Sequence, residues 1–147
     1  MSRRKGRILA FQALYSWDVS KSSLDDLLTF TWLQKDSEIE DGEEVQEPSD
    51  NAREERTFAS FIISGTISNI DAIDKAISDH LSANWSFERI NKVALAILRT
   101  STYEILYQKD VSPKIVIDEA VNIAKNYGTD DSYKFINAIL DKIGKNE

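Results

Sequence analysis

The chain has 147 residues, 41% of them apolar and 29% charged, with a formal charge of −7. Those values fit one soluble domain long enough to bury its own core. It contains no cysteine, which excludes disulfides and thiolate metal sites, and no apolar run long enough to span a membrane.

The first seven residues hold four cations, Arg3, Arg4, Lys5 and Arg7. A signal peptide would stay apolar after Ile8-Leu9-Ala10-Phe11, but Gln12, Ser16 and Asp18 interrupt, so a mature cytoplasmic start is expected. A helix is predicted from Arg3 to about Val19, apolar on most sides. Ser20-Lys21-Ser22-Ser23 breaks it and supplies a cap for a short helix carrying Leu24, Leu27, Leu28 and Thr31, ending near Gln34.

Residues 36–51 lack any period and contain Gly42 and Pro48. Residues 36–56 hold ten acids and two bases, a sum of −8, so the remaining residues sum to +1. Self-repulsion without a periodic apolar face predicts a mobile, solvated loop, with an interaction tail as the alternative. A long helical stripe follows from Ala52 to about Leu81, through Phe58, Phe61, Ile62, Ile70, Ile73 and Ile77, with Gly65 as a break or a close-packing point. Asn84 or Ser86 is the expected cap for the next segment. Ile90, Val93, Ala94, Ile97, Leu98, Ser101 and Ile105 there give the most regular amphipathic pattern.

Ser112-Pro113 reads as a helix start, with Ile117, Ala120, Val121 and Ala124 inward and Gly128 as the stop. Thr129 or Asp130 should cap a last helix that buries Ile136, Ile139, Leu140 and Ile143. No segment alternates with a strand period. The fold class predicted is all-α, in a single domain spanning residues 1–147.

Catalytic chemistry finds little support in these residues. His80 stands alone on a helical stripe with no cysteine or second histidine to partner it, and reads as a partly buried structural residue. No glycine pattern suits a phosphate-cradling loop. Asp25-Asp26 and Asp118-Glu119 are ordinary helix-surface pairs. The expectation is a protein that is not an enzyme, with no cofactor and no metal.

The basic end is more informative. At about 100° per residue, Ala10, Ala13, Leu14 and Trp17 share one face of the first helix, while Arg4, Ile8, Phe11 and Tyr15 line another. Rings that stack with bases beside cations that meet phosphate suit RNA. Two readings stand: an RNA surface, or Phe11 and Tyr15 packed on a neighbouring helix with the cations as a solubilising end. Cations in a first turn oppose the helix dipole, and an anionic ligand would relieve that cost. Asp131, Lys134 and Phe135 form a second flank, off the apolar stripe of the last helix.

Several stretches, in order, resemble the NusB family. Arg3-Arg4-Lys5-Gly6-Arg7 with Gln12-Ala13-Leu14-Tyr15-Ser16-Trp17 resembles its opening. Leu98-Arg99 with Tyr103-Glu104, Ile117-Asp118-Glu119-Ala120 and Ala124-Lys125-Asn126-Tyr127-Gly128 resemble its middle segments. Asp131-Ser132-Tyr133-Lys134-Phe135-Ile136-Asn137 with Leu140-Asp141-Lys142 resembles its closing signature. The resemblance implies about seven helices in two packed helical subdomains. It also implies a transcription antitermination factor that binds boxA-type single-stranded RNA of nascent ribosomal RNA transcripts. The implied partners are NusE, a ribosomal small-subunit protein, and the RNA polymerase antitermination complex. The implied RNA surface is Arg3, Arg4, Lys5, Arg7, Tyr15, Asp131, Lys134 and Phe135. Lys5 stands where the family pattern has arginine, and Tyr133 where histidine is common. Lysine keeps the charge but loses the planar fork. The acidic 36–51 stretch departs from the pattern. The alternatives are a non-catalytic module of a ribosomal RNA modification system and a pure protein adaptor.

Overall fold

The computed structural model describes residues 2–34 and 48–145. Among them lie seven α-helices and no strand: α1 Arg3–Val19, α2 Leu24–Thr29, α3 Asp50–Ser68, α4 Ile70–Asp79, α5 Lys92–Tyr107, α6 Pro113–Tyr127 and α7 Ser132–Lys145. Short 3₁₀ turns at Thr31–Gln34 and Phe87–Arg89 follow α2 and precede α5. Residues 36–47 of the acidic segment lie outside the described residues.

The helix starts follow from short polar caps that accept otherwise unpaired backbone N–H groups. Ser2, Ser23, Ser49 and Ser112 accept from Lys5, Asp26, Ala52 and Ile115. Because Ser49 is a cap, α3 begins at Asp50, two residues before the expected Ala52. Asn91, rather than Asn84 or Ser86, caps α5 through bonds from the N–H groups of Val93 and Ala94. α7 begins at Ser132, so Asp131 stands before it instead of Thr129 or Asp130.

The single stripe expected from Ala52 to Leu81 is two helices. They break at Asn69, whose side-chain amide donates to the Gly65 carbonyl at 2.8 Å. Gly65 itself is a close-packing point: a Cβ there would fall 2.1 Å from Cζ of Tyr103. Gly6 does the same for α1, where a Cβ would meet the Phe58 ring at 2.5 Å. These two bare positions let α1 approach α3, and α3 approach α5.

α5 is the centre of the molecule. Every residue from Ala94 to Ile105 is buried, so the helix predicted as the most amphipathic has no solvent face over that stretch. α1 and α3 pack on each other and on α5, α6 and α7 do the same, and α4 also lies against it. These are the two packed groups that the resemblance implies. The buried face of α6 is Val116, Ala120, Ile123 and Ala124, so Ile117 and Val121 lie at its edge rather than at its centre. α7 buries Ile136, Ile139, Leu140 and Ile143 as expected. His80 ends α4, half-buried, its Nδ1–H donating to the Ala76 carbonyl at 2.7 Å.

Candidate nucleic-acid interface

The cations of α1 separate into two kinds. Arg3, Arg4 and Lys5 are exposed in the first turn, whereas Arg7 is buried. Arg7 Nε donates to both carboxylate oxygens of Glu104 on α5, at 2.9 and 3.1 Å. Its guanidinium lies 5.5 Å from the centre of the Phe58 ring. Burial pushes the Glu104 carboxyl above its ordinary value, and the bonds from Arg7 oppose that shift. The sequence groups Arg7 with the RNA surface; in this structure its guanidinium is desolvated and paired with a carboxylate in the core, unlike the exposed Arg3, Arg4 and Lys5.

Arg4 reaches sideways to α6. Its Nε and Nη2 donate to the two oxygens of Glu119, each at 3.0 Å. The Arg4 bonds hold the Glu119 carboxyl below its ordinary value. Arg3 points its guanidinium over Phe58, 5.9 Å from the ring centre. With Arg4 on Glu119 and Phe11 on Tyr127, α1 and α6 run side by side in the same direction.

Phe11 is 4% exposed and packs edge-on against Tyr127 at 5.4 Å. For that ring the helix-packing reading is the correct one. Tyr15, one turn further on, keeps 38% of its surface and is open to a ligand. At the far end of α6, Lys125 sits 5.0 Å from the Tyr133 ring centre, and Lys134 approaches the same ring at 5.9 Å. Lys134 also pairs with Asp131 at 3.7 Å, both exposed. Phe135 is half-buried against the core, and its ring lies 5.6 Å from Trp85.

Two clusters flagged by sequence therefore become one run of rings and cations. It passes from α1 through Phe11 and Tyr127 to α6, then through Lys125 and Tyr133 to Lys134 and Phe135 on α7. Tyr127 and Trp85, 47% and 46% exposed, were missed by the pattern reading. The one usable signal was that neither ring falls on an apolar stripe. Alternating rings and cations can stack bases and neutralise phosphate. Among the described residues no group of histidine, aspartate and glutamate side chains could hold a metal ion.

Three comparisons with known proteins agree with one another. A family model described as the NusB family matches residues 4–145. A transcription antitermination protein NusB from Treponema denticola is 51% identical over 143 residues, 97% of this chain and 96% of that protein. The structure of NusB from T. maritima superposes with a TM-score of 0.77 at 34% identity, covering 99% of this chain and 92% of that one. A chain in the crystal structure of antitermination factors NusB and NusE with double-stranded RNA also has a TM-score of 0.77, covering 99% of this chain and 97% of that one. At 24% identity, that likeness is one of fold.

Proposed function

Since the chain belongs to the NusB family, we propose that it is a transcription antitermination factor that binds boxA-type single-stranded RNA together with NusE. It acts in the cytoplasm within the RNA polymerase antitermination complex, and it catalyses no reaction. No helix among the described residues is long and apolar enough to cross a membrane.

The observation that carries the RNA assignment is the run of rings and cations across α1, α6 and α7. Arg3, Arg4 and Lys5 supply phosphate contacts. Tyr15 and Phe135 supply stacking faces, and Lys134, held beside Asp131, supplies a further cation. Arg7 contributes by fixing α1 on α5. Phe61 on α3, 68% exposed beside Phe58, is apolar surface of the kind that a protein partner covers. It supports a role for NusE on α3, beside the Phe58 ring that Arg3 of α1 also reaches.

One titration separates charge from stacking. For single strands, log affinity falls with log salt by about 0.7 per neutralised phosphate. With Arg7 buried, three first-turn cations account for a slope of about −2. Replacing Arg3 and Lys5 with glutamine should flatten the slope for every RNA. Phe135→Ala should leave the slope alone and weaken binding by about 1–3 kcal/mol. If both variants fold and both bind boxA RNA normally in the presence of NusE, this surface is not the RNA site.

A further inference from the structure

Trp85 stands in the connection between α4 and the Phe87–Arg89 turn, nearly half exposed, although its ring touches Phe135. A half-exposed indole offers a ligand a broad apolar face and one N–H donor. Beside it lies a basin of about 330 Å³ lined by Ala83, Asn84, Trp85, Ser86 and Arg89. Arg89 is exposed and has no ion-pair partner among the described residues. The basin therefore brings together a stacking ring, an unneutralised guanidinium, a side-chain amide and a hydroxyl. Those are the groups that hold one nucleotide: a face for the base, donors and acceptors for its edge, and a cation for its phosphate.

We propose that this basin is an additional nucleotide subsite, taking the base next to the one that stacks at Phe135. The inference rests on the RNA-binding reading above and extends the bound strand onto the α4–α5 connection. The two rings are tilted by 47°. Bases lying on both cannot remain parallel, so the strand must turn at this point and its bases splay apart. That turn selects a single strand over a duplex, whose stacked pairs cannot open in this way.

The test uses the full chain with a boxA-type single-stranded RNA and the same RNA shortened one nucleotide at a time from each end. Trp85→Ala should weaken the full-length RNA roughly five- to hundredfold, the range for one stacked base. The loss should vanish once the RNA is shortened past the subsite from one end only. Trp85→Phe, which keeps a ring, should retain most of the affinity. Arg89→Gln should reduce the salt slope by about 0.7 on the full-length RNA and leave it unchanged on the shortened one. Equal loss from Trp85→Ala at every RNA length would overturn the proposal, because Trp85 would then act only by supporting Phe135. So would full affinity in both Trp85→Ala and Arg89→Gln, or a loss of NusE binding with RNA binding intact. The Phe135→Ala result keeps the two claims apart. If Phe135→Ala weakens binding and the Trp85 and Arg89 variants do not, only the subsite fails; if Phe135→Ala and the first-turn cation variants all bind normally, the underlying site fails.

Discussion

Arg4 and Arg7 stand three residues apart on α1, yet the first is 57% exposed at its side chain and the second 9%. Their roles should separate by mutation. Arg7→Ala strands the Glu104 carboxylate in the core and should cost about 3–5 kcal/mol, measured by urea denaturation. Arg4→Ala should leave stability nearly unchanged and reduce RNA affinity. Glu119 competes with phosphate for Arg4, so Glu119→Gln should tighten RNA several-fold while the slope stays near the value of about −2 that already counts Arg4. A weaker complex would mean that Glu119 orients Arg4 for the RNA. Acid adds a check with a defined sign. The folded Glu119 value lies below the ordinary 4.5, so its contribution to stability is complete above that value and is lost as pH falls through the lower, folded one. Glu119→Gln should therefore lose less stability on acidification below pH 4.5 than the parent chain. Glu104, raised by burial, acts in the opposite sense: its cost is relieved as pH falls from its folded value towards 4.5. None of this pairing was legible in the sequence, because Arg7 and Glu104 are 97 positions apart and Arg4 and Glu119 are 115 apart.

At the scale of helices, local chemistry was readable and faces were not always so. The caps Ser23 and Ser112 and the stripe of α7 follow from short-range pattern alone. The face of α6 was misjudged by one residue, since Val116 and Ile117 are adjacent and both apolar, and only the neighbouring helices decide which of them is buried. The break at Asn69 carries neither glycine nor proline and so leaves little trace in sequence. α5 looked amphipathic because Arg99, Thr102 and Glu104 are polar, yet each is buried, and the ion-pair partners of Arg99 and Glu104 lie on other elements. Close packing gives the prediction at this scale. Gly65→Ala would place a methyl group inside the space of the Tyr103 ring, which is itself stacked on Tyr107 at 5.5 Å and accepts a bond from Gln108. Overpacking of this kind costs about 1–3 kcal/mol, more than the roughly 1 kcal/mol that alanine gains over glycine within a helix. A variant more stable than the parent would show that α3 and α5 can move apart freely.

Across the whole molecule, α1 and α4 are tied to the central helix α5 through Arg99. Its guanidinium makes a two-pronged bond to Asp74 of α4, 2.9 Å in each prong, and lies 3.6 Å from Asp18 of α1. The rings of Trp17 and Phe87 flank it at 5.6 and 5.9 Å. Arg99→Ala should cost about 3–5 kcal/mol. Because the loss falls where α1 and α4 meet α5, beside Trp17, far-ultraviolet dichroism and tryptophan emission should no longer report one coincident unfolding transition. Coincident curves would show that apolar contact alone couples α1 and α4 to α5. The family resemblance rested on Leu98-Arg99 as a motif, but nothing in the motif disclosed that Arg99 joins α1, α4 and α5 rather than meeting a ligand.

The burial of α5 from Ala94 to Ile105 has a consequence for solvent hydrogen exchange. Those amides have no nearby edge from which to open locally, so they should exchange with deuterium only when the whole chain unfolds. Their protection then measures global stability directly. A ligand that binds only the folded state slows such exchange by its full linkage free energy, wherever on the surface it sits. RNA or NusE added to the protein should therefore deepen protection in a helix that neither of them touches, and the extent of that slowing gives the affinity without any label on the ligand.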